Sequence, residues 1–200
     1  MTQWIENPTG GRDRGPAALV RAWAEVLVRP TRFFRSAVAP GDQAPGLVFA
    51  MAVVLVEELV RFALVADAYP VIADSRLLSG VLWLGVAVLL VAPAALHLTA
   101  ALQTVLLIPL VRDRAGISET VQTIAYSAAP CVVAGVPVPE LRALCGAYGA
   151  VLLVVGIRTV HGTTGKRAAL VAAVPAAVVF GYGFRAFAAV ETLLRQWYII

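Results

Sequence analysis

Charge is scarce in this sequence, and so are the residues that do most chemistry. Asp, Glu, Lys and Arg make up 14% of its 200 residues, with two cysteines, two histidines and a single lysine, Lys166. Each shortage excludes something. A soluble domain carries about 25% charged and roughly 45–50% apolar residues, whereas 60% of this chain is apolar and its mean hydropathy is +0.83. A chain of this length cannot hide that much apolar surface in its own interior, so lipid is the remaining solvent. Cys131 and Cys145 both stand in apolar runs without CxxC or Cys/His spacing. They read as small buried hydrophobes; no metal site, disulfide framework or cofactor is expected. The net charge of +4 forms no continuous basic stripe, so nucleic acid is not an expected partner. Residues 1–18 have no apolar h-region, which argues against a cleavable signal peptide. Asn7-Pro8-Thr9 has proline in the middle and is no glycosylation acceptor.

What the sequence does have is long apolar runs. Five are expected to cross the membrane: Gly46–Ala66, Leu77–Val111, Thr120–Pro139, Leu141–Ile157 and Ala168–Val190. The second holds no charged residue; as one helix it would be roughly 50 Å long. Cutting it at Pro93 leaves halves too short to span, so a single kinked helix is the better reading. The third is interrupted by Pro130, Pro137 and Pro139. Ser118 is the expected N-cap of that third span, Arg142 is able to snorkel from the end of the fourth run, and Arg185 stands near the far end of the fifth. Gln196-Trp197-Tyr198 looks like an interfacial anchor.

Residues 16–38 are too polar to span and are expected to form amphipathic interfacial helices. Leu19, Val20, Trp23, Val26 and Leu27 share one face; Arg14, Arg21, Glu25 and Arg29 share the other, and Pro30 breaks the pattern. Arg21, Trp23, Arg29, Arg32 and Arg35 are the expected membrane-surface contacts, with Trp23, Phe33 and Phe34 dipping into the headgroup layer. The same pattern also suits a helix packed on the cytoplasmic ends of the bundle. With the N-terminus inside, eight cations flank spans on the cytoplasmic side and four on the outer side, which the positive-inside rule favours. The expected architecture is an all-α, polytopic bundle in the cell membrane: a flexible cytoplasmic tail over 1–15, amphipathic helices over 16–38, a five-helix transmembrane domain over 46–190, and a short outer tail over 191–200.

Glu57, Glu58 and Arg61 are the costliest residues, since each charge at mid-span opposes insertion by roughly 2.5–3.5 kcal/mol. Glu57 and Arg61 stand four apart and are expected to pair along one helix face. With His97 they form the candidate intramembrane polar cluster, either an ion or proton path or a self-neutralised helix contact. Gly116-Ile117-Ser118-Glu119-Thr120 lacks the second glycine of a nucleophile elbow, and Gly162-Thr163-Thr164-Gly165-Lys166 is no P-loop, because Arg167 follows the lysine. No catalytic residue is assigned and no enzyme is expected. Gly146, Gly149 and Ala150, with Gly181 and Gly183, mark faces where backbones can approach closely, within one chain or between chains.

Several segments together resemble the Yip family of Ypt/Rab-interacting membrane proteins, in its archaeal and bacterial branch. They are Pro30-Thr31-Arg32-Phe33-Phe34 before the first span, His97 late in the second, Gly116 with Ser118-Glu119-Thr120, then Tyr126-Ser127-Ala128-Ala129-Pro130, and the turn His161-Gly162-Thr163-Thr164. The resemblance covers roughly residues 26–190, with Pro30, Phe33, Phe34, His97, Tyr126, Ser127 and Pro130 as motif residues. It implies a five-span, N-in bundle without catalysis, tied in eukaryotes to membrane trafficking. The acidic-aromatic motif that accompanies Rab-pathway function in the eukaryotic branch is absent, so small-GTPase binding does not carry over. The expected partner is the lipid bilayer, with other membrane proteins or a homo-oligomer left open. The expected function is to scaffold or recruit partners or to organise lipid; the rival is a small transporter or channel subunit using Glu57, Glu58, Arg61 and His97. On residues alone, Pro130 frees the Tyr126 carbonyl and Ser127 is expected to help satisfy the loosened ladder.

Overall fold

The computed structural model describes residues 15–72 and 74–199; the tail expected over residues 1–15 lies, Gly15 apart, outside the described residues. The chain is helical: α1 (Pro16–Val28), α2 (Pro30–Ala37), α3 (Ala44–Leu64), α4 (Arg76–Val86), α5 (Ala92–Leu110), α6 (Ile117–Ser127), α7 (Pro139–Val160), α8 (Gly165–Ala176) and α9 (Ala186–Gln196). Pro16, Pro30 and Pro139 each open a helix, where their missing N–H has no intrahelical acceptor to lose.

Among the described residues, three helices are long and apolar enough to cross a membrane. The first is the continuous 35-residue helix Arg76–Leu110, in which α4 passes into α5 through a π-helical turn at Ala87–Val91. That turn lies just before Pro93, where the ring displaces the backbone carbonyls of the preceding turn. The other two are Pro139–Val160 and Gly165–Gly183. Helix α3 has 21 residues, but Glu57, Glu58 and Arg61 fill its second half.

The third expected span differs most. Instead of running from Thr120 to Pro139, the helix ends at Ser127, and a 3-10 turn at Ala129–Val133 surrounds Pro130. Every residue from Thr120 to Cys131 is buried, because α3, α5 and α7 all pack around this segment. A helix surrounded by protein can carry hydroxyls that bond back to their own turn. Thr120, Thr123 and Ser127 donate to the carbonyls of Gly116, Glu119 and Thr123 at 3.0, 2.7 and 2.7 Å. Ser127 therefore bonds to the turn behind it, one turn before the Tyr126 carbonyl that Pro130 leaves without its N–H. Ser118 is not the N-cap either: the helix starts at Ile117 behind Gly116, and the Ser118 hydroxyl is buried without a partner among the described residues.

The apolar side of α1 and α2 packs on this central segment. Phe33 and Phe34 are buried, the Phe33 ring meets Tyr126 edge-on at 4.8 Å, and the Trp23 indole donates to the Ala129 carbonyl at 2.9 Å. Of the two placements the sequence leaves open, these rings take the one on the bundle rather than dipping into lipid. The 3-10 turn explains the choice, since it presents a carbonyl that lipid cannot satisfy. Arg21, Arg29, Arg32 and Arg35 remain exposed.

The fifth expected run is also broken. After α8 comes a π-helical segment, Ala177–Gly183, and then Arg185 in a left-handed conformation with φ 60°. Helix α9 starts anew at Ala186 and continues to Gln196, so residues 191–196 of the expected short tail are helical. Pro175 in α8 has no N–H for the Val171 carbonyl four residues back; the buried Gln103 of α5 donates its Nε2 to that oxygen at 2.9 Å. The small-residue faces meet within the chain. A Cβ on Gly146 would lie 2.5 Å from Ala186, and one on Gly149 2.5 Å from the Phe180 ring.

Candidate functional site

Glu57 and Glu58 are 2% and 8% exposed. Two adjacent carboxylates buried to that degree must either be neutralised or be paired with cations that fill their hydrogen-bonding sites. Here they are paired. Arg185, from the break between α8 and α9, donates its Nη2 to Glu57 and its Nη1 to Glu58 at 3.4 Å. Arg61 holds the other oxygen of Glu58 through Nε at 2.8 Å and Nη2 at 2.6 Å, and its Nη1 reaches the Ala68 carbonyl at 2.7 Å.

The expected Glu57–Arg61 pair is thus replaced by Glu58–Arg61 at spacing i,i+3, and Glu57 takes a partner 128 residues further along. His97 does not join the cluster. Its Nδ1 lies 2.7 Å from the Pro93 carbonyl of its own helix, and no hydrogen bond or ion pair connects it to the carboxylates among the described residues.

Arg185 is the member that the sequence hides. It looks like any cation snorkelling from the end of an apolar run. The available signal was charge balance: two acids and one arginine leave α3 one negative charge in excess, which a lipid-embedded helix must match from elsewhere. Arg142, expected to snorkel, instead folds back to the Ala134 carbonyl at 3.0 Å, and to that of Val136 at 3.5 Å. Gly135 between them lies against α3 so closely that a Cβ would fall 2.1 Å from the Glu57 carbonyl oxygen. The second half of α3, the 3-10 turn, the start of α7 and the α8–α9 break are thereby drawn together.

Beside the carboxylates lies a cavity of about 180 Å³ with mostly apolar walls. Both π-helical segments line it, through Ala87 and Val91 on one side and Val178 and Gly183 on the other. The chemistry present is two carboxylates balanced by two guanidinium groups, facing an apolar hollow. That can fix helices and seat an apolar group.

At the opposite end, His161 caps α7, 2% exposed. Its Nε2 lies 3.5 Å from the Thr120 hydroxyl, while Nδ1 has no partner among the described residues. Burial pushes the imidazole down from its ordinary 6.5 to about 4. Between those values the unfolded chain binds a proton that the folded chain excludes. His161's contribution to stability is therefore intact above pH 6.5 and falls as the pH drops toward 4, by about 3 kcal/mol over the whole window. Thermal unfolding of the purified protein should accordingly show a loss between pH 7 and 5 that is smaller in His161→Gln. Equal losses in the two proteins would assign the effect elsewhere.

The motif residues fall into two places. Phe33, Phe34, Tyr126, Ser127 and Pro130 converge around the buried segment, with Pro30 opening the helix that carries the two phenylalanines; His97 stands apart on α5. The family model described as the Yip1 domain matches residues 24–186, from within α1 to the first residue of α9, and so contains both the aromatic contact and the carboxylate–arginine cluster. No curated protein and no solved structure gives a match.

Proposed function

Because the chain belongs to the Yip1-domain family, we propose that it is a non-enzymatic protein of the cell membrane that recruits partners or organises lipid, crossing five times with its N-terminus in the cytoplasm. The pairing of every intramembrane carboxylate with an arginine carries this reading. Glu57, Glu58, Arg61 and Arg185 neutralise one another, which suits a clamp between helices better than a site that must exchange protons or ions. His97, the other group a conduction path would use, points its ring nitrogen at its own helix.

Five crossings are supported by the way helix ends alternate. Glu57 near the end of α3, Gly135 after α6, Arg142 at the start of α7 and Arg185 after α8 share one level. Ala39 before α3, Gln122 and Thr120 at the start of α6, and His161 after α7 share the other. Arg29, Arg32 and Arg35, exposed on the docked α1–α2 segment, then face the cytoplasmic headgroups, joined by Arg21. Besides lipid, the exposed apolar side of the Arg76–Leu110 helix, including Leu77, Val81, Leu89, Leu90 and Leu98, suits another membrane protein or a second copy of the chain.

A transporter or channel subunit is the second reading, favoured by the cavity beside Glu57 and Glu58. Proteoliposomes separate the two. The scaffold reading expects no proton or cation flux above protein-free vesicles, and no change with Glu57→Gln and Glu58→Gln together. A flux that the double substitution abolishes would move the assignment to the transporter. In the same vesicles, on a background free of native cysteines, Thr163→Cys and Asp67→Cys should label from opposite sides; labelling from one side would remove the five-span orientation.

A further inference from the structure

Away from the carboxylates, a second hollow of about 360 Å³ lies between α2 and the last turns of α7. Thr31 and Arg35, four apart, form one wall; Arg158, Thr159, Gly162 and Thr163 form the other, with Val155 one turn deeper. Thr31 and Arg35 thus share one face of α2, Val155, Arg158 and Thr159 share one face of α7, and Gly162 and Thr163 follow in the turn after it. The walls are held at fixed separation by Phe34 of α2, whose ring sits so close to Gly156 of α7 that a Cβ there would lie 3.0 Å from it.

The electrostatics of the hollow are one-sided. Among the described residues neither Arg35 nor Arg158 has an ion pair or side-chain hydrogen bond, and the hydroxyls of Thr31 and Thr163 have no partner. No acidic residue lines the space. Elsewhere the arginines near acids are committed: Arg61 to Glu58, Arg185 to Glu57, Arg76 to Asp67 and Arg195 to Glu191. The negative end of the α7 dipole opposes an anion here. Part of it is capped, since Gly162 at φ 59° turns the chain so that the Thr163 N–H meets the Arg158 carbonyl at 3.2 Å.

Depth identifies the source of the anion. Helix α7 has 22 residues and is therefore roughly 33 Å long, close to the hydrocarbon thickness of about 30 Å. Residues 158–163 at its end then lie among the headgroups, with Val155 at the edge of the acyl region. We propose that this hollow binds the phosphomonoester headgroup of an anionic phospholipid. Two unpaired guanidinium groups match a dianionic phosphate, whose oxygens accept pairs of parallel N–H bonds from an arginine fork. A phosphodiester headgroup offers one charge fewer. The proposal rests on α7 spanning the membrane and is independent of the scaffold role.

The test is native mass spectrometry of the full-length protein in mild detergent, with phosphatidic acid, phosphatidylserine or phosphatidylcholine of identical chains, and with inorganic phosphate as competitor. Phosphatidic acid should be retained most and phosphatidylcholine least. Arg35→Gln with Arg158→Gln should lower phosphatidic acid retention by about tenfold or more, while Arg195→Gln leaves it unchanged. Arg35→Lys with Arg158→Lys keeps the charge and removes the forks, so the preference over phosphatidylserine should shrink even where the glutamine variant fails to fold. Equal retention of the two anionic lipids by the wild type, or a lysine variant with undiminished preference, would overturn the site in favour of diffuse charge. Displacement by inorganic phosphate at matching concentration would overturn the lipid as its ligand. Neither result bears on the flux experiment, so the scaffold reading stands or falls separately.

Discussion

Replacing Arg185 with alanine should destabilise the protein by about 3–5 kcal/mol, the cost of leaving a buried charge without its partner. For a chain of this size that is a fall in thermal midpoint on the order of 10 °C. Among the described residues Glu57 has no other cation in contact: Arg61 is occupied by Glu58 and the Ala68 carbonyl. Lysine at 185 should recover only part of the loss, because one ammonium cannot bridge two carboxylates as the guanidinium does. Removing both members, as in Glu57→Gln with Arg185→Met, should recover more than lysine does, since a buried pair replaced by groups of similar volume is often near neutral. The internal reference is Arg195→Ala, which breaks an exposed i,i+4 pair with Glu191 and should cost less than about 0.5 kcal/mol. If thermal unfolding in detergent gives Arg185→Ala and Arg195→Ala the same midpoint, the cluster is not the clamp described here.

Gly135→Ala is the second substitution expected to be severe. Its Cβ would stand 2.1 Å from the Glu57 carbonyl oxygen and 3.0 Å from the Arg61 nitrogen, so it strikes the backbone of α3 rather than a side chain that could turn aside. Overpacking costs about 1–3 kcal/mol where side chains can give way; against a helix backbone the upper end or beyond is expected. The 3-10 turn would have to withdraw from α3, loosening Arg142 from Ala134 and shifting Arg185 at the same level. Gly85→Ala is the matched control, for a Cβ there meets nothing within 4 Å. Size-exclusion profiles of the two variants should diverge, with Gly135→Ala aggregated or poorly recovered and Gly85→Ala like wild type. A monodisperse Gly135→Ala protein of normal stability would mean that α3 and the turn are not in this contact.

Much of the helical layout can be read from the sequence, and what escapes it shares a physical origin. Apolar runs mark α3, the α4–α5 helix and α7 to within a few residues, because a lipid-facing helix has to be apolar along its length. The bend at Pro130 is foreshadowed by the proline, yet its depth is not. Nothing in the local pattern tells that Thr120 to Cys131 is enclosed on all sides, since burial in protein and burial in lipid call for similar residues. The break at Arg185 is hidden for the same reason: Phe180 to Val190 stays largely apolar whether or not the helix turns.

The docking of α1 and α2 shows the ambiguity most directly. An apolar face with arginines opposite suits a headgroup layer and a protein groove alike, and contacts such as Trp23 with Ala129, Phe33 with Tyr126 and Phe34 with Gly156 separate them. Of the candidate cluster, Glu57, Glu58 and Arg61 could be found from their cost alone. Arg185 can be found only by counting charge across the whole chain, and His97 stands apart from the cluster because a histidine in an apolar helix can bond to its own turn.

The separation of Glu57 from Arg185 also has a meaning in time. The ribosome adds about 5–20 residues per second, so the 128 residues between them take roughly 6–25 s to synthesise. Throughout that interval α3 has been made with two acids and one arginine, while its second cation is still unwritten. A segment bearing an unmatched carboxylate is slow to leave a polar channel for lipid. A chain stopped before residue 185 therefore leaves Glu57 of α3 without the arginine that pairs with it.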